Sequence, residues 1–469
     1  MAAVSEAPVA IATKARTDRR WLGLFAILAA TLINVLDTSI VNIAGPTIHR
    51  ELGGNYTALQ WLTAGYTLAL AAGMLTGGRL GDMYGRKRML MMGTTGFLIA
   101  SVLCTITPTT DTLIATRVLQ GLCAAVMVPQ GFGLIRDLFG AEMGKAFSLY
   151  GPCIGLSIVA GPIVAGTLVD ANLFGTGWRM IFLINLPLGA FTLLAGRIAL
   201  PARAADAARP ARLDVSGALL AGLGMFLLTF PLVQGRELGW PAWSFAMLGA
   251  SVPVLGLFGW MQTHKSGSGL LEMSVFRKRS YVSGVAFVVV FFLAMAGLSM
   301  VIGMFLQLSQ GFSPVKASLM MAGWPAGGFV GSALGGTYGT KLGRNILHVG
   351  LTVMGLGTLG IYLTFHAHST SLLLPTFVYG LGMGAIFMPM FDITIAEIED
   401  HEVGSGSAAL ETVQQLAASM GVAVFGTIFF GRIGHGFAAV EPVTLLALAL
   451  TAVAFAIAFL LPRKARPHG

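Results

Sequence analysis

Residues 78–86 read GRLGDMYGR, and residues 336–344 read GTYGTKLGR. Gly78, Gly81, Gly85 and Arg86 of the first recur as Gly336, Gly339, Gly343 and Arg344 of the second. Each copy closes the second apolar stretch of a block of six. A chain with 62 glycines can repeat such a pattern by chance, but the matching place in the order of stretches favours an internal duplication.

Outward from these copies the chain is a run of apolar segments. A helix that crosses a bilayer takes about 20 apolar residues at about 1.5 Å each. On that scale the sequence predicts fourteen spans, near 21–43, 57–80, 89–107, 112–135, 146–168, 179–200, 215–234, 242–261, 282–306, 315–340, 346–366, 372–395, 406–431 and 440–461. Composition agrees: 55% of residues are hydrophobic, 10% are charged and mean hydropathy is +0.79. A soluble surface needs about 25% charge. These values exclude a soluble enzyme, a disordered chain and a disulfide-stapled secreted domain. Cys104, Cys123 and Cys153 lie within apolar stretches without metal-type spacing and read as small core residues. The sequence has no phosphate-binding GxxxxGK[ST] loop and no HExxH pair, so neither ATP-driven transport nor a metalloenzyme is indicated. No cofactor, metal or nucleic-acid partner is expected.

The net charge of +9 follows from orientation. With the N-terminus inside and the spans alternating, nearly all of the 29 Lys and Arg residues fall on the cytoplasmic side. The exceptions are Arg50, Arg179, Arg236, Lys316 and Arg432 outside and Arg117 within a span. Cytoplasmic loops carry such an excess, so both termini are expected in the cytoplasm. One loop dissents, with Glu397, Glu399, Asp400 and Glu402 and no basic residue. The expected divisions are a tail at 1–20, an uncleaved N-terminal half at 21–200, a linker with two peripheral spans at 201–280, a C-terminal half at 281–461 and a tail at 462–469. Parallel six-helix halves are the plan of one class of secondary transporters.

Ionisable groups in hydrocarbon need a reason. Asp37 lies roughly 24 Å along the first span and Arg117 roughly 6–8 Å into the fourth from its outer end, which puts both in the outer part of the membrane. The pair either tunes the proton affinity of Asp37 or forms a fixed bridge between helices. Glu411 sits among apolar neighbours near the inner end of span 13. Asp392, near the inner end of span 12, is either embedded or interfacial. Asp82 and Arg86, four apart, face one another on a helix, with Asp137 as a third partner. Asn34, Asn42, Gln60, Tyr66, Gln120, Gln130, Gln307, Gln310, Gln414 and Gln415 are polar groups that can line a substrate path. Met383, Phe387, Met388, Met390 and Phe391 form either a pliant pocket wall or ordinary core. Gly151, Gly155, Gly161, Pro162 and Gly166 make a small-residue face on span 5, which allows close helix packing.

Several segments resemble the major facilitator superfamily, in particular its fourteen-helix drug:proton antiporters. GRLGDMYGRKR (78–88) resembles the signature loop between helices 2 and 3, with Asp82 and the basic Arg86, Lys87 and Arg88. LIATRVLQGLCAA (113–125) resembles the helix 4 signature. AGPIVAG (160–166) resembles the antiporter signature of helix 5, with Ala165 where a second glycine is usual. VLDTSIVNIAGP (35–46) and WRMIFLINLPLG (178–189) resemble segments of the fourteen-helix exporters. The resemblance covers almost the whole chain. It implies an all-α fold of two six-helix bundles plus two extra helices, with alternating access. It implies proton coupling at Asp37 beside Arg117, and a conformational latch of Gly78, Asp82, Gly85, Arg86, Arg88 and Asp137. The residues themselves add Glu411 and Asp392 as further candidates for proton coupling, with substrate charge recognition as the alternative for Glu411. It also implies antiport through Gly155, Gly161, Pro162 and Gly166. In related exporters the stretch around Glu411 is more usually neutral. The expected activity is export of small amphipathic drugs, cations among them, by a monomer in the cytoplasmic membrane. A metabolite uptake carrier shares the same fold.

Overall fold

The computed structural model describes residues 7–463 except most of 143–160 and residues 162, 173, 174, 202–212, 266–269, 271, 400 and 401. The regular elements are all helical among the described residues. In chain order they are α1 (Ala7–Leu52), α2 (Tyr56–Tyr84), α3 (Arg86–Ile106), α4 (Thr110–Met127), α5 (Gln130–Phe139), α6 (163–171), α7 (Met180–Leu183), α8 (Asn185–Ala199), α9 (Val215–Gln234) and α10 (Ala242–His264). They continue with α11 (Arg279–Met304), α12 (Pro314–Met321), α13 (Gly323–Leu342), α14 (Asn345–His366), α15 (Leu373–Thr394), α16 (Val403–Phe430) and α17 (Glu441–Ala458). With no water in the bilayer core, helices that satisfy their own backbone are what can span it.

Twelve helices among the described residues are long and apolar enough to cross a membrane, so the expected count of fourteen is not reached. Of the two remaining stretches, 146–168 lies largely outside the described residues. The other, 315–340, is helical but divided at Ala322 into α12 and α13, and seven glycines dilute the apolar content of α13. The first helix also differs from expectation: α1 runs 46 residues, or about 69 Å at the α-helical rise. It runs on through Gly45 and Pro46 and ends before Gly53 (φ 72°) and Gly54 (φ 104°), whose left-handed backbone suits glycine.

The two halves pack alike. In the first, α1 lies on α8, α2 on α4, and α3 on both α4 and α8; in the second, α11 lies on α17, α13 on α15, and α14 on both α15 and α17. The ends of the helices are tied alike as well. Lys87 donates to the carbonyls of Arg197 (2.9 Å) and Leu200 (2.8 Å), holding the end of α8 to the start of α3. Arg344 donates to the carbonyls of Phe459 (2.8 Å) and Leu461 (2.9 Å), holding the end of α17 to the start of α14. A cation at a helix C-terminus satisfies carbonyls that the helix leaves unpaired.

Between the halves, α2 packs along α16: Gln60 donates to Ala423 O (3.2 Å) and Ser419 to Ala64 O (3.2 Å). The other seam brings Gly166 of α6 against Val315 of α12, where Asp170 accepts from Val315 N (3.3 Å). The two additional helices are peripheral, as expected. α9 lies against α2 and α16, while α10 rests mainly on α9 and buries only 17% of its most apolar window.

The tightest helix pair is α13 on α15. Gly323, Gly327, Gly331 and Gly335 recur every fourth residue and lie so close to the backbone of Leu373, Phe377, Leu381 and Ala385 that a Cβ would strike it, at Gly335 2.6 Å from Ala385 O; Gly380 and Gly384 of α15 abut Gly328 of α13 in the same way. Small residues at this spacing let membrane helices meet backbone to backbone. The acidic loop that dissented from the charge pattern is likewise a packing element. Lys278, just before α11, contacts Glu402 (2.5 Å) and Glu399 (3.5 Å), and Glu397 accepts from Ser280 N (3.1 Å).

Gly335→Leu is therefore expected to destabilise by about 1–3 kcal/mol through overpacking, read as a lower melting temperature in detergent against Gly336→Leu, where a Cβ meets open space. A second expectation concerns acid. Burial alone would raise the Glu402 carboxyl, but hydrogen bonds from Lys278 and Ser274 outweigh it and hold it at about 2 rather than 4.5. A depressed carboxyl stabilises above its unfolded value and loses that contribution as pH falls through the folded one. Glu402→Gln is expected to lower the melting temperature at neutral pH, and the gap from wild type to close between pH 4.5 and about 2.

Candidate functional site

Five helices of the first half converge on one buried ion pair. Asp37 on α1 is 1% exposed and Arg117 on α4 is 0% exposed, and Nη1 of Arg117 donates to Oδ2 of Asp37. The other carboxylate oxygen accepts from Gln120 Nε2 (3.0 Å) and from Asn185 Nδ2 of α8 (3.0 Å). Both amides also donate to Ser101 Oγ of α3, at 2.9 and 3.3 Å. Arg117 donates further to Leu62 O of α2 (3.1 Å) and Gln120 Oε1 (2.6 Å). Its guanidinium carbon lies 4.3 Å from the Tyr66 ring centroid and 5.8 Å from that of Phe182. Tyr66 in turn donates to Asn34 Oδ1 (2.6 Å).

The chemistry follows from this set. Asp37 receives one cation and two amide donors, an arrangement fitted to an anion. A proton on Asp37 would cancel the charge attraction but leave Arg117 its carbonyl, amide and ring partners. Nη2 of Arg117 and Oδ1 of Asn185 are buried without a partner among the described residues. The site therefore has donor and acceptor capacity left for a second arrangement.

The sequence placed Asp37 and Arg117 together and named Tyr66, Asn34 and Gln120 as path-lining groups. The structure draws all five into one network. It adds Asn185 and Ser101, which the sequence reading missed; the signal available for Asn185 was a lone amide in the apolar run IFLINLPLG. The side chain of Asn42 lies outside the described residues, as do Gly155 and Pro162. Gly161 and Gly166 are buried, and Gly166 meets α12 as described above.

The latch residues are also adjacent. Arg86 contacts Asp82 at 3.1 Å and Asp137 at 3.7 Å, while Arg88 is exposed. Gly85 (φ 90°) makes the turn between α2 and α3. Gly78 has ordinary room beside Pro129, whereas a Cβ at Gly77 or Gly81 would strike Ala125 backbone or the Gln130 side chain. Gln130, expected on the substrate path, is a 1%-exposed clamp that donates to Gly77 O (2.9 Å) and Val126 O (2.9 Å).

In the second half, Ser407, Glu411, Gln414 and Gln415 are half-buried and fall at helical spacing on one face of α16. Glu411 forms no hydrogen bond or ion pair among the described residues. Asp392 is half-buried near the end of α15. Gln307 is buried, donating to Gly303 O (3.3 Å) with Oε1 unpartnered. Of the Met and Phe cluster, Met383 and Met390 are core, and Met383 Sδ accepts from Trp324 Nε1 (3.2 Å). Phe387, Met388 and Phe391 are half-buried.

Two similarly packed helical halves with a buried Asp–Arg pair inside the spans fit the plan of a secondary transporter. Among the described residues, no group of three His, Cys, Asp or Glu is placed to hold a metal. The profile of the Major Facilitator Superfamily matches residues 27–422, and the chain belongs to that superfamily, which consists of transporters and not enzymes. It is 46% identical to the "Probable actinorhodin transporter" of Streptomyces coelicolor, over 89% of this chain and 73% of that protein. It is 32% identical to the puromycin resistance protein pur8 of Streptomyces alboniger, over 91% and 86%. It is 29% identical to the tetracenomycin C resistance and export protein of Streptomyces glaucescens, over 89% and 78%. In fold it resembles a crystal structure of the peptide transporter POT, with a TM-score of 0.67 at 15% identity, covering 94% of this chain and 95% of that one. It also resembles the nucleoside transporter NupG, with a TM-score of 0.63 at 14% identity, covering 94% and 99%.

Removing one member of a buried ion pair leaves a charge without its partner and costs about 3–5 kcal/mol. Arg117→Met is expected to lose about that much in thermal unfolding, and the double variant Asp37→Asn, Arg117→Met to recover a large part of it. Additive losses would mean that the two side chains do not interact.

Proposed function

We propose that this protein is a proton-coupled antiporter that exports small amphipathic compounds, antibiotics and cationic drugs among them, across the cytoplasmic membrane by alternating access. The observation that carries the reading is the Asp37–Arg117 pair, a titratable group held in the membrane by a partner it can release. The relatives named for antibiotic resistance and export support the class of cargo. The Lys and Arg excess supports cytoplasmic termini. We read the spans as fourteen, taking 146–168 and the α12–α13 segment as the two that complete the count. The working unit is a monomer, and the proton is the coupling ion.

Coupling follows from the geometry. A proton arriving from outside neutralises Asp37, and its ion pair with Arg117 goes. Arg117 stays on Leu62 O and Gln120, so the change is passed to α1 and α8 through Gln120 and Asn185. The halves then rock about the α2–α16 contact, and the Arg86–Asp82–Asp137 set breaks or re-forms at the other face. Glu411, with Gln414 and Gln415 beside it, offers a cationic cargo a counter-charge on the opposite half. Because Asp37 and Glu411 lie in opposite halves, rocking of the halves is what links proton binding at one to cargo release at the other.

The deciding measurement is substrate flux in inside-out vesicles under an imposed pH gradient. Asp37→Asn is expected to abolish proton-driven uptake into the vesicles while the protein remains in the membrane at wild-type level. Full activity in that variant would end the coupling assignment, and flux in the opposite sense would make the protein an uptake carrier. Glu411→Gln is expected to lower transport of monocationic compounds at least roughly tenfold relative to neutral ones, equal to about 1.4 kcal/mol of recognition.

A further inference from the structure

At the face where α11 and α14 begin and α17 ends, a pocket of about 270 Å³ is lined by Arg279, Arg344 and Arg463, with Glu397 as its one carboxylate. Three arginines against one carboxylate leave an excess of positive charge around this concave space. A cleft lined by one sign of charge attracts the opposite ion. Ser280 lines the same pocket, is 0% exposed, and its hydroxyl is buried without a partner among the described residues. The charge excess and the orphaned donor are separate observations, and both ask for an acceptor.

The geometry fits one kind of anion. Arg344 is fixed by its bonds to the carbonyls of Phe459 and Leu461 and cannot swing away into solvent. Planar guanidinium groups match phosphate oxygens in paired hydrogen bonds. Phe459, whose ring lies 5.8 Å from the Arg344 guanidinium carbon, is 57% exposed at the end of the last span and presents an apolar surface beside the charged pocket. A ligand that satisfies both has a phosphate joined to hydrocarbon. We propose that this pocket binds the phosphate group of an anionic phospholipid, with its acyl chains along Phe459. Basic pockets at the ends of membrane helices hold anionic head groups in this way. The bound lipid joins the starts of α11 and α14 to the end of α17, and so staples the second half where the linker enters it.

The test uses the full-length purified protein and three variants: Arg279→Gln, Arg463→Gln and Glu397→Gln. The two arginines are exposed and hold no helix together, which Arg344 does. Protein is exchanged into phosphatidylcholine, with or without phosphatidylglycerol, and retained lipid is counted by native mass spectrometry alongside melting temperature. Wild type is expected to retain phosphatidylglycerol over phosphatidylcholine. Each arginine variant is expected to weaken that preference about fivefold, and Glu397→Gln to strengthen it. A parallel arm adds inorganic phosphate to lipid-free protein in detergent. Stabilisation by inorganic phosphate that depends on Arg279 and Arg463, without a preference for phosphatidylglycerol, would reassign the site to a free anion and overturn the lipid. Equal retention of the two lipids, or variants that behave as wild type, would overturn it as well.

Discussion

An ion in hydrocarbon is tolerated only when other groups take over the work of water. In the first half that requirement organises the protein. Asp37 and Arg117 bring with them Gln120, Asn185, Ser101, Tyr66 and the carbonyl of Leu62, so that α1, α2, α3, α4 and α8 are held at fixed separations by one polar cluster. Hydrocarbon on both sides of a membrane helix provides little preference for one neighbour over another, so such a cluster sets positions that apolar packing leaves loose. A single proton placed on Asp37 therefore acts on all five helices at once.

The second half is fastened by different means. Its second and fourth helices, α13 and α15, meet glycine to glycine. Its first helix is tied to the loop before its fifth by Lys278 and the acidic side chains. Neither device uses a charge inside the membrane. Of the two carboxylates within spans there, Asp392 and Glu411, Glu411 forms no hydrogen bond or ion pair among the described residues, which suits it to meeting a cargo.

How much of this could be read in advance depended on how rare each signal is in an apolar chain. Asp37 and Arg117 stood out because charges inside spans are scarce, and their depth alone brought them together. The latch stood out because Asp82 and Arg86 are one helical turn apart. Asn185 and Ser101 did not, because a buried amide or hydroxyl has the same local sequence whether it caps its own helix or completes a distant site. The four-residue recurrence of glycine from Gly323 to Gly339 was visible in the letters. Read as hydropathy it only weakened a span, and read as packing it is the reason that span exists. That Gly77 and Gly81 are the close-packed glycines of the first motif was not legible for a related reason: one residue along a helix is 100° of rotation, and the sequence does not state which face meets α4.

The duplicated motif shows where the halves part company. The position of Asp82 in the first copy is taken by Thr340 in the second, so Arg344 has no acid one turn away. In the first half Arg86 is engaged by Asp82 and Asp137, and the neighbouring Lys87 takes over the capping of α8. In the second half Arg344 does the capping itself, and it lines the pocket it shares with Arg279 and Arg463. One repeated cation position thus holds an ion-pair set in one half and anchors two helices in the other, so the two copies of the motif fasten their halves by different means.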